Sequence, residues 1–204
     1  MTRPAALTIN SILGYWFGAN PDEAAYAQER ADLWWSKNPV VDGQIRERFE
    51  HGIRLAASDR LNHWLAKPAG RLALILLTDQ FPRNIYRGTA TAFAYDGKAL
   101  AWALDGLDLK MDRKLRPIER TFFYLPLEHS ESVAHQDRSV ALFRELAQAV
   151  DASRRGPFLE YLNFAERHRD IIKRFGRFPH RNAILGRAST AEELAFLKQP
   201  GSSF

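Results

Sequence analysis

Cysteine is absent from the 204-residue chain, and this removes disulfides, thiolate zinc sites, iron–sulfur clusters and a thiol nucleophile together. Long apolar runs are missing too, since no stretch approaches the ~18 uninterrupted apolar residues of a membrane-spanning helix. Met1 to Asn10 hold one arginine and no long apolar segment, so the chain is expected to be a soluble cytoplasmic protein without a membrane partner. No alternating apolar and polar pattern of useful length is found, which excludes an extensive sheet. Neither HExxH nor paired ExxH is present, and no cofactor and no metal are expected.

Five Trp, six Tyr and thirteen Phe supply a large apolar payload, far from the aromatic-poor composition of disordered chains. The length suits one domain over residues 1–204 with its own core. Net charge is +5, unevenly spread. From Arg167 to Arg187 seven basic residues stand against one acid, Asp170, so that segment carries +6 and the remainder −1. Such a segment is either a solvated helix face or an attractor of anions, acidic partners or nucleic acid. Nucleic acid ranks last, because no nucleic-acid motif accompanies the charge.

Helical periodicity runs along most of the chain. Ile45, Phe49, Ile53 and Ala56 make one stripe between Asp42 and Ala57. Leu72 to Leu77 are apolar on every side, which predicts a buried central helix stopped at Asp79-Gln80-Phe81 by Pro82. A helix from Asp96 to Leu104, a polar stretch from Asp105 to Arg116 and a helix begun by Pro117 follow. Two longer helices are expected over Ser132–Asp151 and Pro157–Arg174, the second ended by Gly176. Ser189 to Glu193 contain overlapping capping boxes for a last short helix. The fold class is all-α, with helical hairpins packed in antiparallel pairs around one core. Trp16, Trp34, Trp35 and Trp64 are expected in that core, and an exposed Trp35 would instead mark a groove.

One polar segment occurs twice. Phe81-Pro82-Arg83-Asn84-Ile85-Tyr86-Arg87-Gly88-Thr89-Ala90-Thr91 returns as Phe178-Pro179-His180-Arg181-Asn182-Ala183-Ile184-Leu185-Gly186-Arg187-Ala188-Ser189, with His180 inserted. In each copy Phe anchors the chain and Pro breaks the helix. Arg can reach the free carbonyls behind it, and Asn can take a left-handed conformation. The turns are either well-built connectors or anion-binding corners in which Arg flanks a new helix start. Asp79, Arg83, Asn84, Arg177, His180, Arg181 and Asn182 are the candidate ligand-binding residues, for an anionic small molecule or an acidic peptide.

A second polar cluster is Glu128-His129-Ser130-Glu131. On one helix Glu128 and Glu131, or Glu131 and His135, would share a face and hold a metal ion or a water. The plainer reading is acids complementing a helix start. His168 sits on the apolar stripe of its helix and is either a hydrogen-bonded core residue or, if it meets Glu128 or His129, part of an acid–base group. Glu128, His129 and His168 are the catalytic candidates for a hydrolase, with His129 or His168 as general base, Glu128 to orient it, and Arg83 and Arg181 stabilising a developing anion.

Three blocks carry a family resemblance: Leu76-Leu77-Thr78-Asp79-Gln80-Phe81-Pro82-Arg83-Asn84, Pro126-Leu127-Glu128-His129-Ser130-Glu131, and Arg174-Phe175-Gly176-Arg177-Phe178-Pro179-His180-Arg181-Asn182 with the ending Pro200-Gly201-Ser202-Ser203-Phe204. Together with the opening Leu13-Gly14-Tyr15-Trp16-Phe17-Gly18, the chain resembles the chiefly bacterial family catalogued as domain of unknown function 924. The resemblance implies an all-helical fold of the tetratricopeptide-like superfamily and no established activity, cofactor or catalytic residues. No 34-residue repeat consensus is readable in the chain itself.

Overall fold

The structure, a computed structural model, describes residues 6–20 and 23–203, with the backbone alone for 23–26. Met1 to Ala5 of the N-terminal reading and Phe204 of the last motif lie outside the described residues. All regular structure among them is helical. α1 (Ile9–Phe17) starts with Thr8 and Ser11 capping each other's backbone N–H, and turns Ile12, Trp16 and Phe17 inward. α2 (Glu23–Trp35) follows. α3 (Pro39–Ala57) begins with Pro39 at its first position and Asn38 accepting the Val40 N–H at 2.9 Å, and it buries the Ile45, Phe49, Ile53 and Ala56 stripe.

The central helix does not stop where Pro82 leads one to expect. α4 (Pro68–Ile75) passes through a π turn, residues 76–80, directly into α5 (Phe81–Ile85). In that turn the Phe81 N–H reaches five residues back to the Leu76 carbonyl. The wider turn takes in the proline without ending the helix. The carbonyl of Asp79, four residues before Arg83, accepts from Arg83 Nη1 at 2.7 Å. Residues 70–82 are buried throughout, so the π turn and Asp79 lie deep inside the molecule.

α6 (Asp96–Asp108) runs a turn beyond the Leu104 expected from the sequence: buried Gly106 and Leu107 extend its inner side, and exposed Asp105 reaches buried Arg71 at 2.6 Å. α7 (Pro117–Glu128) starts with Pro117, and Glu119 accepts the Arg116 N–H at 2.9 Å. α8 (Val133–Ala149) and α9 (Gly156–Phe175) fold back on each other through residues 150–155, and α8 also packs on α7. Gly176 ends α9 in a left-handed conformation. α10 (Ala191–Phe196) is capped by Thr190 and Glu193 in a reciprocal box.

A single large core joins α1 through α9, with the Trp16 ring against Phe81 and Phe122 and the Phe17 ring against Phe122. Trp34 is buried there and donates its indole N–H to the Trp16 carbonyl at 3.1 Å. Trp35 is 48% exposed, yet one face of its ring lies on Phe122 at 5.7 Å and 10°. It covers core aromatics and does not open a groove. A smaller cluster of Ile171, Ile172 and Phe178, with Phe175 and Phe196 against it, supports the segment after α9.

Candidate functional site

The first copy of the doubled turn joins α5 to α6, and the second joins α9 to α10. Both phenylalanines are fully buried anchors. The asparagines stay right-handed, with Asn84 inside α5 and Asn182 at φ −58° and ψ −52°. Gly88 and Gly186 take the positive φ instead, at 77° and 67°, because a residue without Cβ does so with no steric penalty.

The two arginines converge. Arg83 forms a two-pronged pair with Asp96, the first residue of α6, at 2.8 and 2.9 Å. Arg181 Nη1 lies 3.8 Å from the same carboxylate and donates to the His129 carbonyl at 3.0 Å. Both guanidinium groups also lie over the Phe93 ring, at 5.6 and 4.9 Å. Their roles nevertheless differ. Arg83 is committed to Asp96, to the Asp79 carbonyl and to the Asp79 carboxylate at 3.3 Å. Arg181 is held between Phe93 and Phe178, the latter at 4.3 Å, and its buried Nε has no hydrogen-bond partner. Burial and the charge of Arg83 pull the Arg181 guanidinium down to about 10, which marks a cation short of compensating charge.

Beside Arg181 is a cavity of about 370 Å³, whose wall includes Phe93, Asp96, His129, Ser130, Glu131 and Leu185, with Leu100 and Pro126 on its apolar side. A depression of similar size at Leu7, Ile9 and Trp64 has no titratable side chain among the described residues that line it, whereas the first is lined by Asp96, His129, Glu131 and Arg181.

His129 follows the last residue of α7, and its Nδ1 stands 2.7 Å from Oδ1 of Asp79 in the π turn. Burial alone would raise the Asp79 carboxyl. Arg83, His129 and a hydrogen bond from Gln80 outweigh it and hold the group far below the usual carboxylate range. Burial and Arg83 lower His129, against the pull of Asp79. At neutral pH the pair is a carboxylate accepting from a neutral imidazole.

Behind it lies a second buried pair. Glu128 Oε1 is 3.1 Å from His168 Nδ1, which also donates to the Phe164 carbonyl at 2.8 Å. Burial, then the charge of Asp79, raises Glu128 to about 8, while burial drives His168 well below the ordinary imidazole value. The two partners therefore meet as neutral groups despite their ion-pair distance. The His129 and His168 rings are 6.4 Å apart, so the catalytic candidates form one contiguous polar group. The orienting carboxylate of His129 is Asp79, whereas the sequence reading assigned that role to Glu128.

The other candidates build the corners. Asn84 donates to Asp42 at 3.0 Å and ties the first corner to α3. Arg177 pairs with Glu193 at 2.7 and 2.8 Å, and Asn182 donates to Ser189 and Glu193. The His180 ring lies against Phe178 at 5.6 Å, and burial with the nearby Arg181 lowers it to about 4. Glu128, Glu131 and His135 do not share a helix face: Glu131 is bound by Arg187, at 2.7 and 2.9 Å, and by the Phe178 N–H, and His135 by Ser130 at 2.9 Å. Each has its own partner, which removes the geometric basis of a metal site there.

The basic segment is not a bare positive strip, since Lys173, Arg174, Arg177 and Arg187 pair with Asp137, Glu192, Glu193 and Glu131 from outside it. Sequence reasoning missed Asp96, Phe93 and Arg187. Arg187 lies in the second copy of the doubled turn and at the end of the basic segment, and Phe93 and Asp96 follow shortly after the first copy.

A solved protein of unknown function from Agrobacterium tumefaciens is 38% identical, with a TM-score of 0.78 over 93% of this chain and 96% of that one. No curated protein matches the chain significantly. The bacterial proteins of unknown function grouped as DUF924 match over residues 12–201, and the chain belongs to that family.

Proposed function

We propose that the cavity beside Arg181 binds a small molecule through its carboxylate. The observation that supports this most directly is Arg181 itself, a buried guanidinium on the cavity wall with an unpartnered Nε and its nearest carboxylate already paired to Arg83. Such a cation gains most from an anion delivered by a ligand, and a bidentate carboxylate matches its fork. About 370 Å³ suits a metabolite-sized molecule rather than a length of acidic peptide.

The reading is of an anion-binding helical protein working in the cytoplasm. It takes the tetratricopeptide-like arrangement that the family resemblance implies, supported by the successive packing of α7, α8 and α9. The test is thermal unfolding with a panel of mono- and dicarboxylates. A ligand at a hundred times its dissociation constant adds about 2.7 kcal/mol and a clear rise in Tm. Arg181→Met should remove the rise while still folding; a panel without any shift in the parent protein refutes the reading.

A further inference from the structure

We propose that the same cavity is hydrolytic: His129, held by Asp79, acts as general base on a water that attacks the carbonyl of a small carboxylic ester whose free carboxylate rests on Arg181. This rests on the anion-binding reading above and adds a reaction to it. Asp79 is fully buried at the π turn and its Oδ1 stands 2.7 Å from His129 Nδ1. An ionised carboxylate has no hydrogen to donate, so Nδ1 carries the proton and Nε2 the lone pair. No described protein group hydrogen-bonds Nε2, His129 is one of the residues lining the cavity, and its side chain keeps 14% exposure. A buried carboxylate that fixes tautomer and orientation, with an imidazole facing the ligand space, is the arrangement general-base catalysis needs.

The wall also selects the substrate class. Asp96 and Glu131 flank Arg181, which disfavours a dianion such as a phosphate monoester and suits a single carboxylate. Phe93, Leu100, Pro126 and Leu185 accommodate a short apolar acyl or alkyl group. Ser130 is not set up as a nucleophile for His129, because its Oγ is bonded to His135 Nδ1 at 2.9 Å.

In the step itself, the water oxygen bonds to the ester carbonyl carbon as one water proton passes to Nε2 and the carbonyl electron pair moves onto oxygen. The carbonyl then reforms and the bond to the alkoxy oxygen breaks. The Nε2 proton goes to the departing oxygen, leaving an acid, an alcohol and a neutral imidazole. His129 is the catalytic residue and Asp79 a positioning residue.

The test is hydrolysis of mono(4-nitrophenyl) succinate by the full chain, with neutral 4-nitrophenyl acetate alongside and succinate-induced melting shifts measured in parallel. The anionic ester should be preferred. His129→Asn should lower kcat/KM by about 10²-fold or more while keeping the succinate shift. Asp79→Asn should lower kcat and displace the acid limb of the pH–rate profile, a readout that a merely structural role would not move. Lys173→Ala, remote and surface-paired, should change nothing. A succinate shift without hydrolysis overturns this inference and leaves the binding reading standing; neither shift nor hydrolysis overturns both. Activity that survives His129→Asn but is lost in Ser130→Ala overturns the water route. If His129→Asn does not fold, the parent pH–rate profile decides: an acid limb below about pH 6.5 supports the base, and a flat profile overturns it.

Discussion

Asp79 Oδ1 and His129 Nδ1 stand 2.7 Å apart across fifty residues of sequence, one in a π turn of the central helix and the other just past the end of α7. The π turn thus does two things at once. It carries the helix past Pro82, and it buries a carboxylate where Arg83 and His129 can reach it. π turns of this sort recur at functional sites.

Removing that carboxylate should be expensive. Asp79 is held below its unfolded value near 3.9, so its stabilisation is present above that pH and is lost as pH falls toward its folded value. Asp79→Asn keeps an acceptor oxygen but removes the buried negative charge that compensates Arg83, at a cost of about 3–5 kcal/mol at pH 7. Urea unfolding across pH should show the difference narrowing only below about pH 4. A variant as stable as the parent at pH 7 contradicts the pairing.

Glu128 has the opposite sign. Its carboxyl is raised to about 8, above the unfolded value near 4.3, so the stability it contributes is full below that value and declines as pH rises through 8. Glu128→Gln cannot ionise and still offers an oxygen toward His168. It should match the parent at pH 4 and exceed it at pH 9 by a few kcal/mol, on the order expected for such a shift. Equal alkaline decline in both proteins would show that Glu128 is not desolvated.

Two helical glycines should respond oppositely to alanine. A Cβ on Gly70 would lie 2.3 Å from the Trp64 carbonyl oxygen, a backbone atom that cannot step aside, whereas Gly43 in α3 has nothing within 4 Å. Gly43→Ala should add roughly 0.5–1 kcal/mol through helix propensity, and Gly70→Ala should destabilise by about 1–3 kcal/mol. Melting curves of the two variants are sufficient to check the contrast.

Arg187 keeps Glu131 occupied, and also donates to the Phe178 carbonyl and to Asn182. Arg187→Met should lower stability by roughly 1–3 kcal/mol and release a carboxylate beside Arg181. The freed acid competes with a ligand for that cation, so the succinate-induced rise in Tm should shrink. An unchanged rise would show that Glu131 does not face the ligand space.

How far the sequence reached depends on the range of each interaction. The Ile45 to Ala56 stripe, Pro117 at a helix start, the Gly176 stop and the Thr190–Glu193 box were all legible, because three- and four-residue spacing and cap chemistry are local. The stop at Pro82 was misread because a π turn has no signature as strong as a proline. Asn and Gly both tolerate a positive φ, and in each corner it is the glycine, Gly88 or Gly186, that adopts it, the less strained choice.

Sequence by itself determined the helical class, most helix ends and the polar corners, since these follow from spacing and side-chain chemistry within a turn or two. Only the tertiary structure decided which corner residues matter to a ligand. It set Arg83 to bind Asp79 and Asp96, left the Arg181 Nε unpartnered, and made Asp79 rather than Glu128 the partner of His129. The physical reason is that those pairings are made by core packing of α4 to α9, which brings together side chains whose separation along the chain carries no periodic trace.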